Sequence, residues 1–249
     1  MDDIEFLSEL RQMVVRRGES ENLVDTIAFV SEVAERLEED PVFGEFVLAE
    51  DSRRGAHNRQ LKLHGFTELD DADGALSMVI GRWVDEETPS TLSTSDVDQM
   101  QSWLENFASE ALQADLEERI TESSPAYQLA TTLRRRRNGI SCIRLHIFSN
   151  QTLSRAYKRE FRGEVAGTPT ETHIWDLQRI KALYESARER EVLEIDLEEF
   201  GSKGIPCIDA SSGEGLQSYL CVIEGNLLAD LYERYGSVFW RVTFDRSWV

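Results

Sequence analysis

Arg134 to Arg137 form an unbroken run of four arginines at the end of a predicted helix. Cations there complement the negative end of the helix dipole, so a solvated helix end accounts for the run. The chemistry it could otherwise do is phosphate contact, reinforced by Lys158, Arg159 and Arg162 if folding brings them near. Asp70, Asp71 and Asp73 offer clustered carboxylates, but the spacing and distal Glu of a calcium loop are missing, so a hairpin turn is expected. His57 and His64 fall in a loop and a strand with no matching ligand pair, and His146 alternates within a strand as a core or edge histidine. The glycines of SSGEG (211–215) lack a following Gly-Lys-Ser/Thr, so they form no P-loop. There is no GxSxG elbow and no HExxH pair, and Cys207 has no sequence-local base to activate it. As a catalytic sequence the chain is quiet.

Composition bounds the rest. The 249 residues carry a net charge of −20, which disfavours a sequence-independent DNA binder unless its basic groups gather in a groove. The first 50 residues hold 14 Asp and Glu against 4 Lys and Arg, a balance that favours solubility or a basic partner. No apolar run reaches the ~18–20 residues that span a bilayer, and the acidic start is no leader peptide. Cys142, Cys207 and Cys221 form no C-x-x-C pair, so buried free thiols in a reducing cytoplasm are expected.

The elements that must position any site follow from periodicity. Residues 22–38 read as an amphipathic helix ended by Asp40-Pro41, and 42–50 as a short helix or strand. After a polar loop at 53–58, residues 60–69 and 75–83 form a hairpin around Asp73-Gly74, and an acidic loop follows. The longest helix spans 94–120, another runs from Pro125 to Arg137, and 140–150 is a strand. Arg155 to Arg162 is a basic surface loop or helix. A short strand at 173–175 precedes a helix capped by Asp176, and strands follow at 191–197 and 205–208. Near the end, Tyr219–Ile223 reads as a buried strand, Asn226 as the N-cap of a helix, and Gly236 as its C′ residue. These elements predict a mixed α/β (α+β) fold in a single layered domain.

The stretch SYLCVIEGNLLADLYERYGS (218–237) resembles the signature of the abortive infection phage resistance family. IRLHIFSN (143–150), THIWDLQRI (172–180), GIPCIDA (204–210) and the hairpin at 60–83 support the resemblance in order and spacing. Family members usually continue after YGS with a segment like RLLEQNVRSFL, whereas this chain reads VFWRVTFDRSWV. A codon string for RLLEGNVRSFLG, with its first base deleted, translates as that tail. The resemblance thus implies an N-terminal α/β domain over 1–237 and a frameshifted tail over 238–249, which sequencing of the locus tests.

The resemblance also implies an element order similar to restriction-endonuclease-like cores. Those place an Asp on one hairpin strand and a D/E-x-K on the next, so that carboxylates hold Mg²⁺ and the Lys steadies the attacking water. The equivalent positions hold His64 and Ile80-Gly81-Arg82, which supply no carboxylate. The expectation is a cytoplasmic, truncated phage-defence protein whose N-terminal domain binds nucleic acid or another defence-system protein and lacks a complete active site. Arg134, Arg135, Arg136 and Arg137 are its candidate nucleic-acid contacts, and no cofactor or metal is implied. The alternatives are a Mg²⁺-dependent nuclease drawing carboxylates from Glu45, Glu50 or Asp73, and an acidic protein-interaction scaffold.

Overall fold

Helix formation begins with a reciprocal capping box. The Asp2 carboxylate accepts from Glu5 N–H at 2.8 Å, and Asp2 N–H donates to Glu5 Oε2 at 3.1 Å. The helix so started, α1 (Asp3–Glu21), buries Phe6, Leu7, Leu10 and Val14, and was not foreseen from the periodicity. Asn22 in the left-handed conformation ends it, so the next helix, α2 (Asp25–Leu37), starts three residues later than the sequence suggested.

The structure, a computed structural model, describes residues 2–38, 43–70, 72–113, 115–157, 162–188, 206–209, 219–222, 224–228 and 230. The chain forms two compact units, Met1–Tyr184 and Glu185–Val249.

The first unit is built on a six-stranded mixed sheet. Its strands are β1 (Phe46–Arg54), β2 (Gln60–Thr67), β3 (Ala75–Arg82), then β5 (Cys142–Ser149), β7 (Arg162–Val165) and β8 (Thr168–Trp175), in the order β1-β2-β3-β5-β8-β7. β1, β2 and β3 are antiparallel in turn, β3, β5 and β8 are parallel, and β7 closes the edge antiparallel to β8. Two short strands, β4 (Thr91–Leu92) and β6 (Thr152–Leu153), pair in parallel just beyond the C-terminal ends of β3 and β5. β1 resolves the helix-or-strand ambiguity at 42–50, and Arg53 and Arg54 belong to it rather than to a loop.

Alternation on β3 and β5 sends side chains to opposite faces, and each face builds a core. Leu76, Met78, Ile80, Ile143, Leu145 and Ile147 pack with α3 (Thr94–Gln113) and α4 (Pro125–Arg135). Val79 and Phe148 face the other way, against α1, α2 and α5 (Leu177–Arg188). Fully burying side chains such as Phe29, Phe107 and Phe148 contributes ~1.5–3 kcal/mol each, which makes these clusters the main support of the layers. α3 ends at Gln113, short of the expected 120; Leu116 and Ile120 remain buried but belong to a separate turn. α4 likewise stops at Arg135, and Arg137–Gly139 form a 3-10 turn.

In the second unit, β9 (Cys207–Asp209) and β10 (Tyr219–Cys221) pair antiparallel. The expected burial of this strand is overturned: paired in a two-stranded ribbon, Leu220 and the adjoining Val222 are 65% and 67% exposed. Asn226 is not the N-cap, because Leu228 N–H already bonds the Glu224 carbonyl at 3.0 Å and the helix starts before it. Cys207 is exposed and Cys142 half-buried, which corrects the expectation of buried thiols. The strand at 191–197, the cap at Gly236 and the tail at 238–249 lie outside the described residues.

Candidate nucleic-acid interface

The β2–β3 hairpin is only partly zipped. Its ladder pairs Gly65 with Val79 and Phe66 with Met78, and toward Gln60 and Arg82 the pairing stops. His64 takes over at that point: its Nδ1 accepts from Gly81 N–H at 3.0 Å, satisfying a donor the ladder leaves over. Burial, with a smaller push from Lys62, lowers the His64 pKa from 6.5 to about 3, so it stands as a neutral acceptor. Gly81 has its own constraint, since a Cβ there would overlap Val30 Cγ2 on α2. Ile80 is fully buried in the α3–α4 core, and Arg82 pairs with Asp96 at 2.8 Å. His64, Ile80, Gly81 and Arg82 are therefore engaged in packing, hydrogen bonding and an ion pair.

A separate open cleft of about 390 Å³ is lined by Ser52 and Arg54 of β1, Gln60 and Lys62 of β2, and Gln99 and Trp103 of α3. Cross-strand register sets Ser52 opposite Lys62 and Arg54 opposite Gln60, which puts both cations on one wall. The Lys62 ammonium sits 5.5 Å from the centre of the Trp103 ring. Arg54 donates to the Asn58 carbonyl at 3.1 Å. None of the six lining residues is acidic. The surrounding segment, 52–67, contains Arg53, Arg54, Arg59 and Lys62 and no Asp or Glu.

A partly buried ionic network holds the β1–β2 loop on which this wall depends. Glu110, 3% exposed on α3, accepts from Ala56 N–H and pairs with Arg119. Arg53 bridges Asp51 to the Arg119 carbonyl. Gly55 is required here, because a Cβ would overlap the Glu110 carboxylate and Leu61. His57 and Asn58, both at positive φ, turn the chain back into β2.

At the C-terminal ends of the parallel strands Asn150 and Asp176 bind backbone. The Asn150 amide bridges Val84 N–H and C=O at 3.0 and 2.7 Å. Asp176 accepts from Leu153 N–H at 2.9 Å and from Arg179 N–H at 3.0 Å, the helix-capping role read from the sequence. Trp175 donates from Nε1 to His146 Nδ1 at 3.1 Å, and His146 stacks on His173 with ring centres 4.9 Å apart. Burial pushes both histidines below their ordinary range, so His146 is the core histidine expected.

The arginine run lies elsewhere, across the end of α4: Arg134 and Arg135 close its last turn, and Arg136 and Arg137 follow it. Arg134 pairs with Asp115 at 3.3 Å, Arg137 donates to the Ala166 carbonyl at 3.0 Å, and Arg135 is exposed. The two contacts tie the run to its own neighbours, while Lys158 and Arg159 lie outside the described residues. Asp73 shapes the hairpin turn, accepting from Ala75 N–H at 2.8 Å, and its pairing with Arg144 at 2.7 Å holds its carboxyl below the usual range. Glu45 and Glu50 are exposed. Among the described residues, no group of three His, Cys, Asp or Glu side chains is placed to hold a metal ion, and no helix is long and apolar enough to cross a membrane.

Sequence reasoning missed the cleft. Two local signals pointed to it: the acid-free basic segment 52–67, and Trp103, an aromatic off the Val97–Met100–Leu104–Phe107 stripe of α3. Residues 29–182 match the family model described as the abortive infection phage resistance protein N-terminal domain. That match spans the whole sheet and includes the 60–83, 143–150 and 172–180 blocks, whereas the 218–237 stretch and the 204–210 block lie outside it. No curated protein and no solved structure matches the chain.

Proposed function

We propose, for a chain that belongs to the abortive infection phage resistance family, that its N-terminal unit is a nucleic-acid-binding module of a phage-defence protein without a complete active site. One observation carries the reading: in a chain of net charge −20, the cleft between β1, β2 and α3 is lined by two cations, polar side chains and a tryptophan. Cations set along one wall attract phosphate. The helix–hairpin–helix–strand order supports a restriction-endonuclease-like core in shape. Its hairpin holds His64, Ile80 and Arg82 where such a core would need carboxylates, and fold alone confers no activity.

Binding of labelled oligonucleotides to the purified chain across a salt series tests this reading. Affinity is expected to fall as salt rises, and Arg54→Ala and Lys62→Ala should each weaken it. Replacing Arg134–Arg137 with Gln in the same assay measures what the arginine run adds. Incubation with DNA and RNA in Mg²⁺ or Mn²⁺ addresses the nuclease alternative: metal-dependent cleavage abolished by Asp73→Ala would overturn the proposal.

A further inference from the structure

The shape of the cleft narrows the ligand beyond nucleic acid in general, and this step rests on the binding reading above. Trp103 is partly buried and lines an open cleft of about 390 Å³, within the ~300–1,000 Å³ of small-ligand sites. What occupies the ring face now is the Lys62 ammonium, 5.5 Å from its centre, a weak contact for a half-exposed cation. An aromatic face beside cations is the arrangement that receives an unstacked base while the cations follow the backbone. In a duplex every base face is already stacked and must be unstacked first. Gln60 is held in place, its Nε2 donating to Ser52 Oγ at 3.1 Å, and Gln99 is exposed on the rim, where its amide can meet a base edge.

We infer that the cleft takes one unpaired nucleotide of a single strand, its base stacked on Trp103 and its phosphate held by Lys62 and Arg54. On binding, the base replaces Lys62 over the ring and the ammonium turns to the phosphate. Stacking is indifferent to the sugar, so DNA and RNA strands share this chemistry.

The test is fluorescence anisotropy with the full chain and one oligonucleotide length as single-stranded DNA, single-stranded RNA and duplex. Single strands should bind about 10-fold tighter than duplex, Trp103→Ala should lose about 10-fold on single strands and leave duplex unchanged, and Trp103→Phe should keep most of the affinity. Thermal melting checks that each variant folds; if Trp103→Ala does not, Trp103→Phe carries the test, and tryptophan quenching by a single strand must be smaller in it than in the parent. Equal binding of duplex and single strand, or an equal loss on both with Trp103→Ala, overturns this inference while leaving nucleic-acid binding standing. No binding by any oligonucleotide overturns both.

Discussion

His64→Leu removes an acceptor and a titrating group at one stroke while keeping the bulk of the side chain. At pH 8 the Gly81 N–H loses its partner inside the sheet, and leaving a buried donor unsatisfied costs ~1–3 kcal/mol. Acid changes the balance in a calculable direction. The unfolded chain takes up a proton on His64 at its ordinary pKa of 6.5, whereas the folded chain resists until about pH 3. Unfolding therefore gains protons, and the parent loses stability as pH falls below 6.5, at ~1.4 kcal/mol per unit, or about 2 kcal/mol by pH 5. The leucine variant lacks that loss. His146 and His173 also titrate low, but they are present in both proteins and cancel in the difference. Urea unfolding followed by tryptophan fluorescence at pH 8 and pH 5 should show the gap between parent and variant narrow by about 2 kcal/mol. A gap of the same size at both pH values would refute His64 as a buried neutral acceptor.

Two further substitutions probe the scaffold. Gly81→Ala forces a methyl into Val30 on α2, and thermal melting should register a loss of ~1–3 kcal/mol; an unchanged melting temperature would show that α2 yields freely. Asp176→Ala removes the acceptor for both Arg179 N–H and Leu153 N–H, so a loss of ~1–2 kcal/mol in urea is expected, with faster hydrogen exchange at those two amides.

The sequence made legible what repeats locally. Leu76, Met78 and Ile80 against Val79, and Ile143, Leu145 and Ile147 against Phe148, alternate strongly enough to name both strands and their faces. β8 was seen only at its last three residues, because threonines at 168, 170 and 172 are buried there and lend it no apolar alternation. α1 was missed although Asp2 and Glu5 spell a capping box; its acidic flank drew the reading toward charge. The cleft was out of reach for a different reason. It exists because the β1–β2 register sets Ser52 and Arg54 opposite Lys62 and Gln60 and because α3 carries Trp103 to Lys62, two facts of register and packing that no single segment records. The arginine run, by contrast, was conspicuous in sequence and proves to sit with Asp115 and the Ala166 carbonyl.

The most direct measurement is the salt dependence of single-strand binding by the intact chain, taken with the parent, Arg54→Ala and Lys62→Ala. If the cleft is the nucleic-acid site, log affinity falls linearly with log salt, and each substitution lowers the slope by ~0.7, the share of one phosphate contact on a single strand. Binding whose slope neither substitution alters, or no binding at low salt, would contradict it.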